Sequence, residues 1–210
     1  MKKNLITIGV LAGLLFVFTA TAQAIPYGFN KITNNGNPDI AGQLSVDVLP
    51  AGGQVQFLFS NAGPTASSIT GIYFDDGSLL AIASITNGAG TSFSQGATPP
   101  DLPGGNSIVP AFNTTAGFSA DSNAPTASNG VKPGENVAIY FTLQGSQTFS
   151  NVISDLNSGA LRIGIHVQAI APTGGSDSYV NTGNRVPEPA TLLLIGAGLL
   201  GLIGYARRRK

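Results

Sequence analysis

Hydrophobic residues recur along this chain in short runs of period two. Leu44, Val46 and Val48 alternate with Ser45, Asp47 and Leu49, and Val55, Phe57 and Phe59 alternate with Gln54, Gln56 and Ser60. Such alternation puts each set on one face of a strand, and Pro50-Ala51-Gly52-Gly53 between them predicts a hairpin with one buried face. Residues 69–75 and 79–86 predict a second hairpin through Asp76-Gly77, because glycine accepts the positive φ of a tight turn; Asn87-Gly88 closes it. Pro133-Gly134-Glu135 then turns into a strand with Val137, Ile139, Phe141 and Leu143 on one face. The most regular run has Leu161, Ile163, Ile165, Val167 and Ala169 on one face and Arg162, Gly164, His166, Gln168 and Ile170 on the other. Residues 178–180 predict a last edge strand. Residues 25–38 predict a lead-in or short edge strand, with Ile32 and Phe29 as its candidates for burial.

Two stretches depart from this period. Phe149, Val152, Ile153 and Leu156 sit at helical spacing, with Ser150 as N-cap and Gly159 as stop, and predict one short helix. Residues 89–132 are a long Gly/Pro/Ser-rich loop with no strand pattern of its own. Phe93, Ile108, Val109, Phe112 and Phe118 are spaced along it and predict an ordered excursion pinned to the sheet at intervals. Short strands separated by turn signals, with a single helix, predict an all-β fold: one β-sandwich ectodomain over residues 25–184.

The two ends belong to neither pattern. Met1-Lys2-Lys3-Asn4 is a cationic start, residues 5–19 are apolar, and Ala22-Gln23-Ala24 has the small-x-small form that signal peptidase reads. Residues 1–24 therefore predict a signal peptide cut after Ala24, which leaves Ile25 as the new N-terminus. At the other end, residues 190–205 are uncharged and predict a transmembrane helix over 190–206, followed by the cytoplasmic stop Arg207-Arg208-Arg209-Lys210. At ~1.5 Å per residue the span is slightly short for a ~30 Å hydrocarbon core, and Tyr205 and the snorkelling Arg207 extend it. Pro187 and Pro189 keep Glu188 out of the helix, in an exposed extended motif at the membrane surface.

Composition narrows the chemistry. Of 210 residues none is cysteine, so disulfides, thiol catalysis and thiolate metal sites are excluded. Between the two ends Lys31, Lys132 and Arg162 face nine acids, which leaves no basic patch for nucleic acid. His166 is the sole histidine and has no recognisable nucleophile motif, so it reads as a strand residue facing solvent. Asp75 and Asp76 could offer oxygens to Ca²⁺, with Asp101 or Asp121 from the long loop, but a turn accounts for the same residues and no EF-hand pattern is present. No cofactor is expected.

The tripartite C-terminus, Pro187-Glu188-Pro189 with a Gly-rich span and a terminal Arg cluster, resembles the PEP-CTERM sorting signal of Gram-negative bacteria. Residues 72–77, 102–106 and 161–168 are also similar to a recurring ectodomain found in front of such tails. The resemblance implies an exosortase, a membrane transpeptidase-like enzyme, as partner beside signal peptidase, and exopolysaccharide as a candidate neighbour. It implies an exported protein held transiently in the inner membrane with its ectodomain in the periplasm, then placed at the cell surface or outside the cell. The expectation is a non-enzymatic structural or adhesive protein of the biofilm matrix. The alternative is a Ca²⁺-dependent carbohydrate-binding module or carbohydrate-active enzyme that uses residues 89–132.

Overall fold

A computed structural model describes residues 23–75 and 79–185. Among these, ten strands occur in the order β1 (Ile25–Lys31), β2 (Leu44–Ala51), β3 (Gln54–Asn61), β4 (Ser68–Asp75), β5 (Leu79–Asn87), β6 (Phe93–Gln95), β7 (Ser119–Ser122), β8 (Asn136–Leu143), β9 (Arg162–Ile170) and β10 (Gly175–Arg185). Two α-helices accompany them: the single turn α1 (Thr126–Asn129) and the longer α2 (Phe149–Ser158). All strands belong to one antiparallel sheet, ordered β5-β8-β3-β2-β1-β10-β9-β4-β7-β6.

The fold is all-β, but two separate sandwich layers give way to one sheet that rolls into a nearly closed barrel. β1 and β10 are the reason. Both were expected at edges, yet β1 pairs with β2 on one side and β10 on the other, and β10 continues to β9, so the first and last strands stitch the halves together. Tyr27 and Tyr179 on these strands are fully buried, which an edge position would not achieve. At the seam the edges β5 and β6 approach each other. The Phe93 N–H donates to Asn87 Oδ1 at 2.7 Å.

The predicted core is largely the observed one. Val46, Val48, Val55, Phe57, Phe59, Ile139, Phe141, Ile163, Ile165 and Val167 are fully buried. Burying an aliphatic or Phe side chain stabilises by about 1.5–3 kcal/mol, so this set is the main source of stability in a chain without disulfides. The facing halves interlock through Phe74 of β4, whose ring lies 5.1 Å from Phe57 and 4.6 Å from Phe141, edge to face. The β2–β3 hairpin forms as predicted. Its two loop residues, Gly52 and Gly53, have φ of 57° and 90°, as a two-residue turn between Ala51 and Gln54 requires.

Four local expectations are corrected. The Asp76-Gly77 hairpin does not form: β4 pairs with β7 and β9, whereas β5 pairs with β8 in the other half. A turn signal marks a reversal without choosing the partner, and β4, buried on both faces from Ser68 to Phe74, is claimed by the strands that cover it. Residues 89–132 are ordered but contain β6, β7 and α1. Phe93, Phe112 and Phe118 pin them as expected, together with the unanticipated Leu102, while Val109 is 98% exposed. On β9, Ala169 adopts φ 54°, and this break in the alternation turns Ala169 outward and buries Ile170. The helix cap lies two residues earlier than foreseen. Thr148, not Ser150, is the N-cap, in a capping box with Asn151, and Gly159 ends the helix at φ 79°.

The segment from Ala97 to Phe112 adds a layer outside the barrel. Leu102, Phe112 and Tyr73 form a second small core with Val180. Gly164 of β9 makes room for it: a Cβ there would lie 2.5 Å from a Leu102 methyl and 3.1 Å from the Phe112 ring.

Candidate functional site

The antiparallel register brings together residues that stand about as far apart in the chain as the domain allows. β1 begins at Ile25 and β10 ends at Arg185, and Tyr27 pairs with Arg185. The polypeptide therefore enters and leaves the barrel side by side, at what is here termed the terminal end. The β2–β3 turn, the ends of β4 and β8, α2 and the start of β9 lie at this same end, as strand polarity dictates.

Ile25 is half-buried and paired with Val48, and Ala24 lies just outside the sheet. α2 lies across the end of the barrel with Val152, Ile153 and Leu156 packed into the core. The Tyr27 hydroxyl donates to Asn157 Oδ1 at 3.1 Å, and the Asn157 carbonyl lies 3.3 Å from where a Gly183 Cβ would be, so the helix is braced against both β1 and β10. Between helix and strand is an open cleft of about 420 Å³ lined by Ile25, Phe149, Ser150, Ile153, Ser154 and Asn157.

Of the acids singled out from the sequence, Asp75 and Asp121 are held by separate partners. The Asp75 carboxylate pairs with Arg162 and also accepts the Asn113 N–H at 3.1 Å. Arg162 in turn donates to the Pro110 and Ala111 carbonyls, so a guanidinium already occupies the place a cation would compete for. Asp121 lies beside Tyr73, accepts the Thr98 N–H at 3.3 Å, and is raised by burial against the pull of backbone N–H bonds from Thr98 and Ser122. Among the described residues no group of three or more His, Cys, Asp or Glu could hold a metal ion. His166 is half-buried on the outer face of β9. Burial lowers its pKa, while the charge of Asp177 pulls it back upward.

Asp177, which the sequence did not single out, is the most elaborately held acid. It is 1% exposed, pairs with Lys31 Nζ at 2.9 Å, and accepts from Thr33 Oγ1, Asn37 Nδ2 and the Asn35 N–H. Burial alone would raise its carboxyl, but these donors outweigh burial and hold it below the usual carboxylate value. Every donor is a local group that closes the barrel, so the arrangement is structural.

Ala22, Asp76, Pro187, Glu188, Pro189, Arg207, Arg208, Arg209 and Lys210 lie outside the described residues, as does the predicted span 190–206. No helix among the described residues is long and apolar enough to cross a membrane. β10 ends at Arg185, and the tail continues directly from it.

A family model described as a PEP-CTERM protein-sorting motif matches residues 185–210. The chain carries a PEP-CTERM sorting signal. The PEP-CTERM match starts at Arg185, the last residue of β10. It marks an exported protein, sorted through the membrane and processed by an exosortase-type enzyme. No curated protein and no solved structure matches the chain.

Proposed function

We propose that the protein is an exosortase-sorted component of the cell surface or extracellular matrix, structural or adhesive in an exopolysaccharide or biofilm setting, with no catalysis of its own. Its domains are the signal peptide 1–24, the barrel 25–184 and the sorting signal 185–210. Signal peptidase cuts after Ala24 and frees Ile25. Pro187-Glu188-Pro189 is read as a substrate motif, residues 190–206 hold the chain in the inner membrane, and Arg207-Arg208-Arg209-Lys210 stay cytoplasmic until processing releases the barrel outward.

The PEP-CTERM motif carries this reading. Two features of the barrel support it. The sheet begins at Ile25, so cleavage after Ala24 removes no strand residue. It ends at Arg185 among the described residues, so a cut beyond that residue leaves each described strand intact.

The test replaces Pro187, Glu188 and Pro189 by Ala and follows C-terminal mass and location, with and without the exosortase. The native chain should lose its tail and leave the membrane only when the enzyme is present, and the variant should remain full length at the membrane. Identical mass and location for both chains would refute the sorting role.

A further inference from the structure

We propose that the terminal end of the barrel is a lipid-facing surface, seated on the bilayer with Val109 and the cleft between Ile25 and Phe149 at the headgroup boundary. The proposal rests on the reading of residues 190–205 as a membrane-entering segment. It adds which side of the domain faces the lipid and how closely.

Chain length supplies the first argument. Five residue steps separate Arg185 from Ala190, and fully extended they span at most about 18 Å. The interfacial layer on one side of a bilayer takes up roughly 5–8 Å of this, which leaves about 10 Å of clearance. That is no more than the ~10–12 Å diameter of a single helix. The tether is counted from the point where β10 leaves the sheet: Arg185 is paired with Tyr27 and Asn181 with Phe29 across a shift of register, and Tyr179 and Val180 lie between β1 and β9. Pro187 and Pro189 limit the tether further, since each fixes φ. No folded layer fits in the gap, so the terminal end meets the lipid interface itself.

The surface found there suits that neighbour. Val109 is 98% exposed and is the exposed large hydrophobic side chain of the described residues. It is also held in place. Arg162, at the start of β9, grips the next two carbonyls, Pro110 and Ala111, beside Asp75 at the end of β4, and Phe112 is anchored over Gly164. An apolar side chain presented to solvent from a pinned backbone is ready to insert at no cost in loop ordering. Phe149 and Ile25, both half-buried, border the cleft at this same end. Arg162 compensates Asp75, and Asp155 is the acid on α2, so apolar insertion and not attraction to anionic lipid would drive the contact.

The chain contains no tryptophan, which makes single-Trp reporters clean. The full chain, produced without an exosortase, would be reconstituted into phosphatidylcholine vesicles carrying brominated acyl chains. Val109→Trp reports on the terminal end. Ala66→Trp reports on the opposite end, where Ala66 is exposed and only its backbone carbonyl is used. Trp partitions to the membrane interface, so Val109→Trp should shift to the blue and lose about half its emission to bromine. Ala66→Trp should be unchanged. If the chain co-floats with vesicles but the two reporters are quenched equally or not at all, the lipid-facing surface is refuted while the tail reading stands. If the chain does not co-float, the tail reading itself fails and the proposal falls with it.

Discussion

The two ends of the barrel are closed by opposite means. At the distal end the closure is polar: Asp177 is bound to Lys31, Thr33, Asn35 and Asn37, and Gln43 Nε2 donates to Asn61 Oδ1 and the Thr65 carbonyl, both at 2.8 Å. At the terminal end an amphipathic helix does the work, burying Val152, Ile153 and Leu156 and leaving Phe149 and Ile25 half-exposed. Each solution fits its surroundings in the proposed arrangement. A buried polar network is worth having only when every member is satisfied, which demands loops of fixed conformation, and the distal loops carry no chain exit. The terminal end must let two chain segments pass, and non-directional apolar packing tolerates that better than a lattice of hydrogen bonds.

The largest expected effect comes from breaking the polar end. Asp177→Ala leaves Lys31, whose side chain is 12% exposed, without its counter-charge and with the Asn37 carbonyl as its acceptor, and removes the carboxylate that accepts from Thr33 Oγ1, Asn37 Nδ2 and the Asn35 N–H. Removal of one member of a buried pair costs about 3–5 kcal/mol, a large share of the stability of a domain this size. Urea unfolding should show the midpoint fall with the m-value retained. At the terminal end, Leu156→Ala removes a fully buried side chain from α2 and should cost about 2–4 kcal/mol. It should also loosen the cleft, so amide exchange would rise in α2 and the start of β1 more than in β3 or β8. A fall spread evenly over the sheet would mean that the helix is not a separable cap. Thr148→Ala deletes one partner of the capping box and should cost only about 1 kcal/mol, confined to the helix.

The same contrast explains what could be read from the chain. Val55, Phe57, Phe59 and Phe141 declared themselves by alternation, because one buried face per strand is a local property. Phe149, Val152 and Leu156 declared α2 in the same way. Partner choice was not legible. Nothing near Asp76-Gly77 states that β5 will pair with β8, and nothing near Ile25 states that it will begin a central strand in which Tyr27 pairs with Arg185; both outcomes follow from burial summed over the whole chain. β4 hid a further feature, since its outer-facing Tyr73 is buried only because the loop bearing Leu102 and Phe112 folds over it. The sorting motif was legible, because a motif read by another protein must be written locally. The distal network was not, as Asp177 is separated from Lys31 by most of the domain and its neighbours Thr33, Asn35 and Asn37 look like ordinary loop residues.

Acid sharpens the comparison with smaller effects. His166 has its pKa lowered from 6.5 by burial, partly offset by Asp177, so the unfolded chain takes up a proton before the folded one does. The stability it contributes is present above pH 6.5 and is lost as pH falls through the lowered folded value. His166→Gln should flatten the stability profile just below pH 6.5 and leave the more acidic limb unaltered. Asp177 acts in a separate window. Its folded pKa lies below 3.8, so its contribution is complete above that value and disappears as pH drops through the lower folded one. Asp47 and Asp121 oppose it: burial raises both, so protonation relieves a penalty as the solution becomes acid. The native chain should therefore hold its advantage over Asp177→Asn down to about pH 4 and lose it only below, where Asp177 itself takes up a proton. Exchange protection should fail first in residues 32–37 and at the start of β10, with α2 still protected. If acid released α2 first, the polar closure would not be what holds the distal end.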